Sequence, residues 1–209
     1  MRWGRIILGA AVTALALAPV AAEAGPKKKA ARAGRVRITA FVMNGTEARL
    51  YTIPYKLPSF TLPFNGNQSA SLAASYVAVP DLKGFSIELE GQGMQHFGGE
   101  KSFELTAAAI IRSPQFGVTR GTSANVAWGN GISYALTSPT AEFGRGGIRG
   151  VDTVQFQYHL SVEAELTSKA NNRVHYVARL HHRSGIYGLI SPSKTGSNYM
   201  GLGLRFDLK

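Results

Sequence analysis

Cysteine is absent from the 209 residues, which excludes disulfide frameworks, thiolate metal sites and thiol nucleophiles together. Acid is scarce as well. Twelve Asp and Glu face 23 Lys and Arg, and the formal charge of +11 calls for an anionic partner such as nucleic acid, phospholipid or lipopolysaccharide. Beyond residue 24 no apolar run reaches the roughly 18 residues of a membrane helix, which excludes a helical membrane protein but not a barrel. What is present is a 44% apolar fraction and 24 glycines, in a chain long enough for one domain with a real core, a closed barrel, or two small domains.

Residues 1–24 carry the three parts of an export signal. Arg2 and Arg5 open it, an uncharged stretch of 13 residues runs from Ile6 to Ala18, and Ala22-Glu23-Ala24 offers a small-x-small cleavage site. Cleavage there leaves a mature chain from Gly25 with 21 basic and 11 acidic residues, whereas retention would make the segment an anchor. Export disfavours a nucleic-acid partner. Lys27, Lys28, Lys29, Arg32, Arg35 and Arg37 then fall in an acid-free run that supplies +6 of the mature +10. Residues 25–35 are read as a basic arm, solvated or resting on anionic lipid headgroups, with the fold proper spanning 36–209.

From there the apolar pattern has a period of two, the signature of strands with unlike faces. Between Val154 and Thr167, Val154, Phe156, Tyr158, Leu160, Val162, Ala164 and Leu166 share one face. Gln155, Gln157, His159, Ser161, Glu163, Glu165 and Thr167 share the other. Met200, Leu202, Leu204, Phe206 and Leu208 form a similar row, and further strands are expected near 36–43, 69–79, 85–95, 103–113, 124–136 and 173–184. That makes eight.

Eight antiparallel strands of about ten residues fit a soluble sandwich, a lipocalin-like barrel or a small outer-membrane barrel. The polar faces decide. They hold Glu88, Glu90, Glu104, Arg112, Glu163, Glu165, Arg179 and Arg205, charges of both signs that suit a hydrogen-bonded lumen, with the apolar rows facing lipid. The short connections at 80–84 and 168–172 alternate with long ones at 44–68, 137–153 and 185–196, as in bacterial barrels with short periplasmic turns and longer external loops. The expected fold is therefore an all-β, eight-stranded antiparallel barrel in the outer membrane of a Gram-negative bacterium.

The seventh strand carries the candidate chemistry. His182 and Ser184 are two residues apart, so they project from the lipid-facing side together and one is placed to act as base to the other's hydroxyl. At about 3.3 Å per residue and a tilt near 40°, His182 lies on the order of 20 Å above Val174, near the outer edge of the lipid-facing band. The bland alternative is a pair of polar residues closing the strand at the interface. His181 points to the opposite face, which argues against a two-histidine metal site with His182.

The stretch Arg179-Leu180-His181-His182-Arg183-Ser184-Gly185, followed by Gly196-Ser197-Asn198 and the final Gly201-Leu202-Gly203-Leu204-Arg205-Phe206 strand, resembles the outer-membrane lipid A 3-O-deacylases of PagL type, often labelled acyloxyacyl hydrolases. The resemblance extends more weakly through His96-Phe97-Gly98-Gly99, Glu104, the segment from Gly129 to Tyr134, and Pro139 to Glu142. It implies ester hydrolysis at the outer leaflet without metal or cofactor. Ser184 would be the nucleophile and His182 the general base, with backbone N–H groups near Gly185 facing the oxyanion. Arg183, Lys194, Arg145 and Arg149 would hold lipid A phosphates. The family's third member is a glutamate on the last strand, and here the chain departs, with no acid between Ser184 and Asp207. Asn198 and Glu142 are the candidates to orient His182; Asn198 is preferred, because adjacent strands pair directly whereas a long loop must be ordered at entropic cost. A noncatalytic structural or adhesion barrel and an outer-membrane phospholipase stand as alternatives.

Overall fold

The computed structural model describes residues 34–59, 61–99, 101–137, 139, 154–191 and 195–208. Residues 1–33, which hold the expected signal segment and most of the expected arm, lie outside the described residues. Eight long strands are present: β1 (Val36–Thr46), β2 (Phe64–Leu82), β3 (Phe85–Phe97), β4 (Phe103–Arg112), β5 (Thr122–Ala135), β6 (Phe156–Ser168), β7 (Val174–Ser184) and β8 (Gly196–Asp207). Each pairs antiparallel with its neighbours in sequence, and β8 returns to β1, so the sheet closes. A two-residue ladder at Phe116–Gly117 lies against the start of β5.

Closure satisfies the backbone groups of every edge, which is the condition for crossing a hydrocarbon layer with strands. The rows sort as their parity requires. Outside lie Val42, Leu72, Leu89, Leu105, Val126, Trp128 and Ile132, roughly half exposed, an apolar surface far larger than a soluble monomer carries. Aromatic residues mark both ends of this band: Phe97, Phe103, Tyr134 and Phe156 at one rim, and Tyr76, Phe85, Tyr176 and Phe206 at the other.

Inside, the eight charges expected in the lumen are all buried. Glu163 accepts hydrogen bonds from Arg112 at 2.7 Å, Arg179 at 2.9 Å and Arg205 at 2.8 Å, while Glu88 bridges Arg112 at 2.8 Å and Arg37 at 3.0 Å. Arg179 reaches Glu90 at 2.7 Å and lies 4.4 Å over the ring of Phe41. Against this charged plug packs an apolar cluster of Phe41, Met43, Ala73, Met94, Val177 and Tyr199.

Two expectations need correction here. Arg37 does not belong to a free arm: it points into the lumen from β1, 4% exposed, because its parity matches Thr39 and Phe41. Arg35 pairs with Asp207, and the Gly34 and Arg35 backbones bond to Val77 on β2, so the ordered wall begins before residue 36. The first long connection is also shorter than expected. β1 runs on to Thr46 and β2 starts at Phe64: the β1–β2 register shifts at a bulge where Gly45 faces Asn65, Gly66 and Asn67, while β1 stays paired with β8 through Thr46. At the other end, Lys83 and Gly84 both adopt positive φ, 55° and 90°, in a two-residue hairpin whose twist matches the strands it joins.

Candidate functional site

β7 presents His175, Arg179, His181 and Arg183 inward and Tyr176, Ala178, Leu180, His182 and Ser184 outward. His182 and Ser184 thus share the outer face, about 7 Å apart along the backbone by strand geometry. Across β7–β8, His182 stands directly opposite Asn198 and Ser184 opposite Gly196. The His182 ring meets the Asn198 side chain, Nδ1 against Oδ1. A neutral His182 with its proton on Nδ1 donates to that amide oxygen and leaves Nε2 as the basic nitrogen.

Asn198 is held in turn. Its Nδ2 donates to the Ala48 carbonyl at 2.7 Å, which orients the amide so that the oxygen faces the histidine. Ala48 belongs to the connection from β1 to β2, which folds back over the barrel exterior. There Ile53 and Ala48 bury against Met200, with Leu57, Leu62 and Leu180 packed around them. This flap, with a helical turn at Ile53–Lys56, leaves His182 only 9% exposed on a face that elsewhere meets lipid.

Ser184 is partly exposed. Its neighbour across β6–β7 is Tyr158, whose hydroxyl donates to Asn130 Oδ1 on β5. Asn130 also lines a shallow depression on the outer face, with Leu89, Gly91, Ala107, Ala109 and Ile132. On the β8 side Gly196, φ 129°, has no room for a side chain: a Cβ there would stand 2.2 Å from the Arg183 carbonyl oxygen. Immediately after Gly185 the backbone is strained: Ile186 and Tyr187 adopt φ of 47° and 54°, and a β-branched residue in that region is costly. The Gly185 carbonyl accepts from the Gly188 and Ile190 amides and ties this turn together.

Arg183, expected among the phosphate contacts, is 1% exposed inside the lumen, where its Nη2 donates to the Gln155 carbonyl at 2.9 Å. One residue of parity separates it from the outer face, so lipid phosphates are out of its reach. Glu142, Arg145, Arg149 and Lys194 lie outside the described residues. Sequence reasoning missed the Ala48 tether and the flap, for which the only signal was the apolar spacing of Ile53, Leu57 and Leu62 within an otherwise loop-like segment. It also missed how Glu104, His96, His159 and His181 meet, although their common polar row was visible.

No family model matches the sequence, and no curated protein matches it as a relative. Among solved structures the barrel is similar to the outer-membrane enzyme PagL, with a TM-score of 0.55 and 11% identity over 81% of this chain and 98% of that one. The N-terminal barrel domain of Pseudomonas aeruginosa OprF aligns at a TM-score of 0.48 and 15% identity, over 84% and 98% of the two chains. Neisserial surface protein A gives 0.48 and 11%, over 82% and 96%. Likeness at such identities concerns the fold, and with the closed ladder, charged lumen and apolar belt already described, the chain is an eight-stranded antiparallel β-barrel of the outer-membrane kind.

Proposed function

We propose that this barrel is an esterase of the outer leaflet that removes the 3-O-linked acyl chain of lipid A. The observation that carries the reading is the outward-facing His182–Asn198 pair beside Ser184, with the amide fixed by the Ala48 carbonyl. A histidine whose Nδ1 is held, so that Nε2 is left as the basic nitrogen, on the same strand face as a serine supports a nucleophile and base pair.

In the proposed cycle Ser184 Oγ attacks the ester carbonyl as His182 Nε2 takes its proton. Developing charge on the carbonyl oxygen meets the backbone N–H groups at the strained turn from Gly185. The tetrahedral species collapses, His182 returns the proton to the leaving sugar hydroxyl, and the acyl group stays on Ser184. Water, deprotonated by His182, then releases the fatty acid. Asn198 contributes orientation without charge, so the imidazolium formed at each step is stabilised less than by a carboxylate. Neither metal nor cofactor enters this cycle. Residues 1–24 serve as the cleaved signal that delivers the barrel to its membrane.

Mass spectrometry of lipid A and phospholipids from cells producing the wild type or Ser184→Ala tests the reading. Loss of one acyl chain from lipid A in the wild type alone is expected. Lysophospholipid in its place would identify a phospholipase, and unchanged lipids of both kinds would leave a barrel without hydrolytic activity.

A further inference from the structure

On the other face of the same wall, the outer half of the lumen holds a cluster that the ester chemistry does not use. Glu104 on β4, His159 on β6 and His181 on β7 each offer one ligand-type atom, these atoms lie within 4.8 Å of one another, and all three residues are 0% exposed. Glu104 Oε1 lies 2.9 Å from His181 Nε2. His159, its ring centroid 4.4 Å from that of His181, has no hydrogen-bond partner on either nitrogen among the described residues, and His181 Nδ1 has none among them. A buried imidazole with both nitrogens unmet is a penalty that folded proteins remove by supplying a partner.

We propose that Glu104, His159 and His181 bind one divalent transition-metal ion, Zn2+ by preference, inside the barrel. Two imidazoles and a carboxylate form a mixed nitrogen and oxygen set that suits zinc, whereas calcium and magnesium take oxygen ligands. Ligand atoms around one zinc stand about 3.3 Å apart, so small side-chain rotations close the set, and a water completes four-coordination. The surroundings already orient the carboxylate: Ser133 Oγ donates to Glu104 Oε1 at 2.7 Å and His96 Nε2 lies 3.1 Å from Oε2. Such outer partners are what metal-bound carboxylates have. Arg183 Nε lies 3.7 Å from Glu104 Oε1, so the ion would share this carboxylate with a guanidinium. The ion would join three strands across the lumen and, lying on the face opposite His182, would take no part in ester hydrolysis.

The test uses protein purified from outer membranes in detergent, stripped with a chelator and then dialysed against Zn2+ or Co2+. One equivalent of zinc per chain, a rise in unfolding temperature on adding it, and the intense visible bands of four-coordinate Co2+ are expected. His159→Gln and Glu104→Gln should each weaken binding at least about tenfold. Failure of the wild type to retain zinc and to show the cobalt bands overturns the site, whatever the variants do, and leaves ordered water as the partner of His159. Binding equal in the wild type and both variants also overturns it, since the ion would then be held by other histidines.

Discussion

His182 and Ser184 differ from the other polar residues of β7 by pointing away from the lumen, so replacing them costs the barrel little. Ser184→Ala and His182→Asn should each lower deacylation by about three orders of magnitude or more while the folded protein keeps its heat-modifiable migration. Equal activity in either variant would mean that the pair is accidental. The role of Asn198 is separable from that of Glu142. Asn198→Ala should reduce kcat at least about tenfold with KM little changed, because orientation of the base matters only as the proton moves. Asn198→Glu should restore or raise it by adding charge beside the imidazolium, and Glu142→Gln should do little. The reverse ranking would give the positioning role to Glu142. At this scale the sequence revealed the facing of each side chain through parity, yet the Ala48 carbonyl was invisible, since a backbone atom leaves no mark in the alphabet.

Among the described elements, the flap between β1 and β2 packs on the outer face beside His182. It is pinned by Ile53, 1% exposed, against Ala48 and Met200. Ile53→Ala removes buried methyl groups at a cost of about 2–4 kcal/mol, borne by the flap alone because the barrel ladder does not depend on it. The expected result is faster tryptic nicking after Arg49 or Lys56, a fall in turnover as the Ala48 tether loosens, and an intact barrel in electrophoresis. Nicking at the wild-type rate would show that the flap is held by something else. Strand interiors were legible from alternation, but strand ends were not. Gly45 and Gly66 lie within β1 and β2 at a bulge in their register, an irregularity to which side-chain patterning is blind.

For the molecule as a whole, the charged plug is where the loss of one partner should cost most. Glu163 receives three guanidinium groups, and Glu163→Gln leaves them undercompensated in a sealed space. Breaking such a buried network by removing one partner costs about 3–5 kcal/mol, against roughly nothing for an exposed pair. The urea midpoint of the refolded variant in detergent should fall accordingly, with lipid-face chemistry unchanged at temperatures where the barrel survives. An unaltered midpoint would show that water enters the plug and screens it. The eight charges of the polar rows announced this interior, whereas Arg37 was misassigned to the arm because a run of six basic residues crosses the boundary between tail and wall.

The sequence by itself determined the number of strands, the closed all-β class and the facing of nearly every residue, because pleating alternates side chains at every step and lipid and lumen demand opposite chemistry. Which residues on one face meet was decided only by the tertiary structure. Glu104 reaches His181 across 77 positions and Asn198 reaches Ala48 across 150, distances set by the register and closure of the ring. Parity is a local property, and proximity in a barrel is a global one.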